Sequence, residues 1–167
     1  MNNVPVKPRI QYAQRLAKRI VADAGIMKPP VILNKVVKYL KENRNRAIEI
    51  YPQNFSEKID GMQVMDDDIS VIAYNQTKHV HRKRFTVAHE LGHMMLGHTS
   101  MNFDLNFESN KPEEIEANQF AAELLMPLEM LKVDILNSNP KELAKLYRVS
   151  EEAMWWRLTN NKLLKLI

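Results

Sequence analysis

The chain has no cysteine and no long apolar run among its 167 residues. Without cysteine there are no disulfides and no thiolate ligands, so any bound metal must be held by nitrogen and oxygen atoms. No segment approaches the roughly 20 apolar residues of a membrane-spanning helix, and the polar start of the chain lacks the apolar core of a signal peptide. A chain of this length can bury one core. We therefore expect a single cytoplasmic domain with no membrane partner.

Acidic residues are scarce in the first quarter of the chain. Residues 1–46 hold 11 lysines and arginines but only Asp23 and Glu42, a net charge of +9, whereas residues 47–167 carry a net charge of −5. Such a basic segment attracts acidic protein surfaces or nucleic acid. Tyr12 and Tyr39 are its only aromatic residues, so it has few side chains that could stack on bases. We interpret the charge as the solvated face of two amphipathic helices.

The most informative feature is the sequence His89-Glu90-Leu-Gly-His93, an H-E-x-x-H motif. On a helix, residues four apart lie on one face, so both imidazoles could bind one cation. In zinc proteases two neutral histidines hold the metal and the glutamate takes a proton from the water that the metal activates. The alternative is a buried helix whose histidines only bond to their neighbours. We disfavour it because it leaves three residues unexplained at once.

Apolar periodicity predicts helices at both ends of the chain and a small sheet between them. The predicted helices are 9–24, 31–42, the motif helix through Leu96, 112–125, 128–136, 141–147 and 151–160, and the predicted strands are 47–51, 59–65 and 69–74. This order indicates an α+β fold, a zincin-like domain whose sheet packs on the motif helix. The last two helices form a helix-turn-helix-like pair.

We expect residues 1–167 to form a single metallopeptidase domain in three parts. These are a basic helical part over 1–46, a catalytic core over 47–127 and C-terminal helices over 128–167. The polar segment Thr99–Lys111 has no periodicity, and we expect it to be a flexible connection near the site.

A catalytic zinc site needs three protein ligands and an open position. The metzincin pattern fails, because Leu96 and Thr99 stand where it requires glycine and histidine. The third ligand should then be a carboxylate on a separate helix, and Glu113, Glu116 and Glu123 are spaced by threes and fours along one. Glu113 begins that helix, where stabilisation of the helix dipole explains it. Glu116 borders the apolar stripe, which favours it modestly over Glu123.

Two motifs together resemble the ImmA/IrrE family of metallopeptidases. They are Arg-Phe-Thr-Val-Ala-His-Glu-Leu-Gly-His over 84–93 and Glu-Ala-Asn-Gln-Phe-Ala-Ala-Glu-Leu-Leu-Met-Pro over 116–127. The preceding Ile-Ala-Tyr-Asn75 also resembles that family's strand ending in asparagine, and the likeness covers roughly residues 59–130. It implies a gluzincin-like site with one Zn²⁺ per chain. The implied ligands are His89, His93 and Glu116, with Glu90 as the catalytic base.

The resemblance also implies a biological role. Members of the family act in the bacterial cytoplasm, are often encoded by mobile elements or prophages, and cleave helix-turn-helix repressors, so that they serve as antirepressors. A repressor of this kind is therefore the expected protein substrate. Residues 1–46 are not diagnostic, so the resemblance does not identify which repressor is cut.

Two features of the site stay open at this stage. The developing oxyanion could be stabilised by one of several polar side chains, and for His98 we prefer an interaction with the last carbonyls of its own helix. The substrate could pair as an added strand along the predicted strand Ile69–Asn75. The candidates for the oxyanion are His98, Tyr74, His79, His81 and Tyr147.

The helix-turn-helix-like segment over 141–158 raises a second function, a DNA-binding regulator with a structural or sensing metal. Its would-be recognition helix opens with Glu151 and Glu152, which repel phosphates, and continues with Met154, Trp155 and Trp156. Base-reading side chains should stand at those positions, so we do not expect direct DNA binding and favour packing or repressor docking.

A third possibility is a non-catalytic zincin that only binds a repressor. Glu90 argues against this possibility, because a structural metal site has no use for a base.

Overall fold

The computed structural model describes residues 6–44, 46–66, 68–98 and 110–166. In this part of the chain, two helices precede a three-stranded sheet and five helices follow it, which confirms the α+β class. The elements are α1 (Ile10–Asp23), α2 (Leu33–Arg44), β1 (Ala47–Gln53), β2 (Gly61–Met65), β3 (Ile69–Asn75), α3 (Val80–Leu96), α4 (Pro112–Leu125), α5 (Leu128–Asp134), α6 (Pro140–Tyr147) and α7 (Glu151–Asn160), with 3₁₀ turns at Ile135–Asn137 and Leu163–Leu166.

The sheet has the strand order β1-β3-β2. β3 is the central strand; it runs parallel to β1 and antiparallel to β2. The expectation that a substrate strand pairs along Ile69–Asn75 is therefore wrong, because both edges of that strand already have partners. Among the described residues, no strand pairs with the outer edges of β1 and β2, which are the free edges of the sheet.

The motif helix α3 is the buried centre of the fold. It packs against β3 and β2 on one side and against α4 on another. Every residue from Thr86 to Leu96 is buried, and the helix ends at Gly97, whose φ of 72° is left-handed. The helix starts at Val80, directly after the turn that follows β3, and so begins earlier than the apolar pattern around the motif indicates.

Helix α4 lies between α3 and α1. It begins at Pro112 with Glu113 and Glu114 in its first turn, as predicted from the preference for proline and acidic residues there. Towards α1, the Gln14 side-chain amide donates to Gln119 Oε1 at 2.8 Å. The basic N-terminal part thus packs directly on the helix that carries the candidate ligands. The division of the domain into three parts stays a prediction.

Helices α6 and α7 meet at a short turn in which Arg148 has a left-handed φ of 54°. Ser150 caps α7 by accepting a hydrogen bond from the Ala153 amide at 3.1 Å. The hydroxyl of buried Tyr147 donates to Asp134 at 2.6 Å, and burial together with this bond raises the pKa of Tyr147. Tyr147 therefore supports the helix pair and is not available to an oxyanion.

A buried ion pair ties α7 to α4. The Arg157 guanidinium contacts the Glu123 carboxylate, and Arg157 Nε donates to the Met126 carbonyl at 3.2 Å. Both side chains are buried. Glu123, one of the three carboxylates considered as a third ligand, is thus held by Arg157.

Two further expectations concern the connection before α4 and the membrane. The segment Thr99–Lys111, expected to be a flexible connection, lies outside the described residues except for its last two positions. Among the described helices, none combines the length and the apolar character that crossing a bilayer requires.

Replacing Arg157 with methionine should destabilise the fold. The substitution keeps most of the apolar volume but leaves the Glu123 carboxylate buried without its cation, which costs about 3–5 kcal/mol. Urea denaturation measures the loss of unfolding free energy. As a control, Arg19→Met removes an exposed pair with Asp23 and should cost no more than about 1 kcal/mol. Equal losses in the two variants would contradict the role of the buried pair.

Candidate metal centre

Two histidines and a carboxylate converge between α3 and α4. His89 Nε2 and His93 Nε2 lie 2.9 Å apart. The Glu114 carboxylate lies 3.2 Å from the first nitrogen and 3.4 Å from the second. All three side chains are buried, and one ligand atom from each lies within 4.8 Å of the other two. Three potential ligands therefore point at one small volume.

The close approach of the two helices depends on Gly92, which lies between the two histidines. A Cβ at this position would lie 3.0 Å from Phe120 Cδ1 and 3.2 Å from both Cα and O of Ala117. Contacts of 3.0–3.2 Å are tighter than most Cβ contacts in proteins, so glycine lets the α3 backbone rest on α4 here without displacing a neighbour. This contact brings the first turn of α4, with Glu114, to the level of the histidines.

The arrangement fits a zinc ion in both chemistry and dimensions. Two histidines and a glutamate are an established ligand set of catalytic zinc sites. With metal–ligand distances of about 2.0–2.2 Å, ligand atoms at the corners of a tetrahedron lie roughly 3.3–3.6 Å apart. The observed separations of 2.9, 3.2 and 3.4 Å are close to that range.

Glu90 lies next to this cluster and is also buried. Its Oε1 atom has no hydrogen-bond partner among the described residues. Burial and the charge of Glu114 raise the pKa of Glu90 to about 8. A carboxyl group without such a partner is costly to bury, and a nearby divalent cation would favour its ionised form.

Glu114 shows the opposite behaviour. Burial acts to raise its pKa, but hydrogen bonds to His89 and His93 outweigh burial and lower the pKa below the usual value for glutamate. Glu114 is therefore a carboxylate at neutral pH, the form in which it can bind a metal.

The ring of His89 is oriented by α4. Its Nδ1 lies 2.9 Å from Asn118 Oδ1, four residues after Glu114 on the same helix. Since an amide oxygen only accepts hydrogen bonds, this contact places the proton on His89 Nδ1 when Nε2 binds a cation. Metal-binding histidines usually have such an outer partner.

The ring of His93 is oriented by a longer chain of contacts. His93 Nδ1 lies 2.8 Å from His98 Nδ1, and His98 Nε2 lies 3.0 Å from Glu116 Oε2. Burial lowers the pKa of His98, although the bond to Glu116 opposes this. His98 thus sits at the helix end, as expected, but its ring bonds to side chains.

Glu116, the ligand expected from the sequence, does not reach the two histidines of the motif. It is buried and accepts three hydrogen bonds from Arg9: from the backbone N at 2.6 Å, from Nε at 2.9 Å and from a terminal nitrogen at 2.7 Å. Burial acts to raise its pKa, but the bonds to Arg9 and His98 outweigh this and hold it at about 2. Glu114, two residues earlier, occupies the position expected for Glu116 because it faces α3, whereas Glu116 faces α1.

The remaining candidates lie elsewhere. Glu113 is buried rather than solvated. His79 is exposed and caps the start of α3 by accepting a hydrogen bond from the His81 amide at 3.3 Å. His79 and His81 therefore lie at the beginning of α3, more than two helical turns before His89. Tyr74 is half-buried on β3. Among the residues considered for the oxyanion, His98 is the one that the structure connects to the cluster.

Comparison with known proteins identifies the domain. The model of the peptidase M78 family, described as the IrrE N-terminal-like domain, matches residues 44–159. The match includes the whole sheet, α3 and α4. The chain belongs to this family. The resemblance noted in the motifs is thereby confirmed, and the convergent cluster lies inside the matched segment.

Two relatives add context. "Uncharacterized immunity region protein 2" of Bacillus phage phi105 is 30% identical over 118 residues, which cover 62% of this chain and 75% of the phage protein. A solved structure of a Mycobacterium tuberculosis transcriptional regulator has a TM-score of 0.59 at 15% identity. It matches 89% of this chain, but the chain spans only 46% of that regulator. At this identity the second likeness concerns the fold alone.

Replacing Gly92 with alanine should destabilise the α3–α4 contact. Helix propensity alone would stabilise α3 by about 1 kcal/mol, but overpacking a tight contact costs about 1–3 kcal/mol. We therefore expect a lower Tm in thermal unfolding followed by circular dichroism. A higher Tm, which propensity alone predicts, would show that the two helices separate easily at this position.

Proposed function

We propose that this protein is a zinc-dependent endopeptidase that cleaves a helix-turn-helix transcriptional repressor, in a mobile element or prophage. The observation that carries the proposal is the convergence of His89, His93 and Glu114 beside the buried carboxyl group of Glu90. Membership of a peptidase family supports peptide hydrolysis. The phage immunity-region relative supports an action on repressors.

In this proposal His89, His93 and Glu114 would hold the zinc ion. When bound, zinc supplies Lewis acidity and lowers the pKa of water from 15.7 to about 7. Glu90 takes the proton of the attacking water at its carboxylate and passes it to the leaving amine. Asn118 and His98 orient the two imidazoles through their Nδ1 atoms.

We further propose that the substrate pairs with the free edge of β2. This is the edge strand that packs on α3, and Gly61 at its start lies so close to α3 that a Cβ there would be 2.5 Å from Thr86 Cγ2. A peptide added to β2 would thus lie extended near the motif helix. Protection of β2 amides from hydrogen exchange by bound substrate would support this, and protection of β1 alone would contradict it.

A non-catalytic regulator that binds a repressor or DNA is the second candidate. For DNA binding, α7 would have to contact phosphates. Its one basic residue, Arg157, is buried against Glu123, while Glu151, Glu152 and the half-exposed Trp155 and Trp156 form its outer surface. These side chains suit contact with a protein better than contact with a polyanion.

Replacing Glu114 with glutamine should remove most of the bound zinc, because the amide is neutral and a weaker ligand. Elemental analysis after dialysis against zinc-free buffer measures this, with about one zinc per chain expected in the wild type. Glu113→Gln is the matched control, since it removes a neighbouring buried carboxylate outside the cluster. Retention of zinc by Glu114→Gln would overturn the assignment.

Replacing Glu90 with glutamine should leave zinc bound and slow repressor cleavage at least about 100-fold, the usual contribution of a general base. The substrate to use is the helix-turn-helix protein encoded beside this chain, and mass spectrometry of the mixture detects the cleaved bond. Cleavage by Glu90→Gln at the wild-type rate would refute its role as base. Binding of that repressor without cleavage, by a zinc-loaded wild type, would favour the non-catalytic alternative.

A further inference from the structure

We propose that Glu116 is a positioning residue which, through His98, favours a proton on His93 Nδ1 and so leaves His93 Nε2 to bind the metal. The inference rests on the proposed function only in taking His93 as a zinc ligand. It assigns a task to the ion pair between half-exposed Arg9 and buried Glu116, which the cleavage chemistry does not use directly. Arg9 lies outside the segment 44–159 that matches the family, so the N-terminal part of the chain takes part in building the site.

The first step is the state of Glu116. Its side chain is fully buried and receives three hydrogen bonds from Arg9, two of them on Oε1 and one on Oε2, at 2.6–2.9 Å. A carboxylate held by a guanidinium in this manner is ionised. An ionised carboxylate only accepts hydrogen bonds. The remaining contact of Glu116, with His98 Nε2 at 3.0 Å, must therefore have the histidine as donor.

The direction of the Glu116–His98 hydrogen bond also decides the direction of the bond between His98 and His93, the proposed zinc ligand. A neutral imidazole carries one N–H and one lone pair, so a proton on His98 Nε2 leaves a lone pair on His98 Nδ1. That nitrogen lies 2.8 Å from His93 Nδ1, and a hydrogen bond between them requires the proton to be on His93. His93 Nε2 then has a lone pair for a cation, and it is the atom that faces His89 and Glu114. The Glu114 carboxylate, 3.4 Å away, favours a proton on this same nitrogen when no cation is bound. Glu116 thus acts against Glu114 and favours the metal-binding tautomer of His93.

The tautomers can be observed directly in the full-length chain without metal. The five histidines of the sequence are few enough to resolve by long-range ¹H–¹⁵N NMR, which distinguishes Nδ1–H from Nε2–H rings. We expect His98 to be protonated on Nε2 and a substantial fraction of His93 on Nδ1, with the rest held on Nε2 by the Glu114 carboxylate. In Glu116→Gln the amide can offer either its oxygen or its N–H₂ group to His98, so the fraction of His93 protonated on Nδ1 should fall.

Zinc affinity gives a second readout. Loss of an outer partner of a ligating histidine typically weakens metal binding 10–100-fold, and we expect Glu116→Gln to raise the Kd for zinc by that factor in competition with a chelator. Glu123→Gln is the matched control: it removes another buried carboxylate with an arginine partner from α4, and should lower stability without changing the Kd. In a His98→Asn background, Glu116→Gln should cause no further loss.

Three outcomes would overturn the inference. The first is an unchanged His93 tautomer in Glu116→Gln together with wild-type affinity for zinc. The second is loss of zinc as complete as in Glu114→Gln, which would make Glu116 a ligand. The third is an equal effect of Glu116→Gln with His98 present or replaced. A wild type that binds no zinc would refute the proposed function instead, and the tautomer measurement would still decide the role of Glu116.

Discussion

The contact of the α3 backbone with α4 at Gly92 determines the geometry of the site. With glycine between the two histidines, the Phe120 ring and the Ala117 backbone of α4 lie only 3.0–3.2 Å from the place of a Cβ atom. A helix–helix distance set by backbone rather than by side chains leaves little freedom to slide or separate. Consequently the imidazoles on α3 and the carboxylate on the first turn of α4 face each other at 3.2–3.4 Å. The sheet behind α3 then keeps this helix from moving away.

The same packing concentrates negative charge in the interior. Glu90, Glu114 and Glu116 are all buried within one turn of the contact, and buried carboxylates are costly unless they are paired. Glu116 is compensated by Arg9, whereas the charge of Glu114 adds to burial in raising the pKa of Glu90. Burial lowers the pKa of His93, and the bond to Glu114 opposes this. A divalent cation between the histidines would offset this charge, so metal binding and fold stability should be coupled in this protein.

The sequence was sufficient for the elements and for part of the site. The seven helices, the three strands and the candidate ligand pair His89 and His93 follow from periodicity and from one motif of unusual composition. Glu114 was not among the three carboxylates that spacing offered, because the apolar stripe of α4 is a poor guide when the helix is buried on several sides. Periodicity identifies the faces of a helix but not which neighbour each face meets. Here one face meets α3 and another meets α1, through Gln119 and Glu116.

Long-range partners were also beyond the sequence for a physical reason. Arg9 and Glu116 are 107 residues apart, and nothing local to either residue distinguishes a buried pair from two solvated charges. The same argument applies to Arg157, which the fold buries against Glu123, 34 residues earlier. The one arginine of α7 is buried, and the largest side chains on the outer surface of that helix are the half-exposed Trp155 and Trp156. A surface of that composition can be buried against a protein partner. It carries no lysine or arginine that could neutralise DNA phosphates and release their counterions.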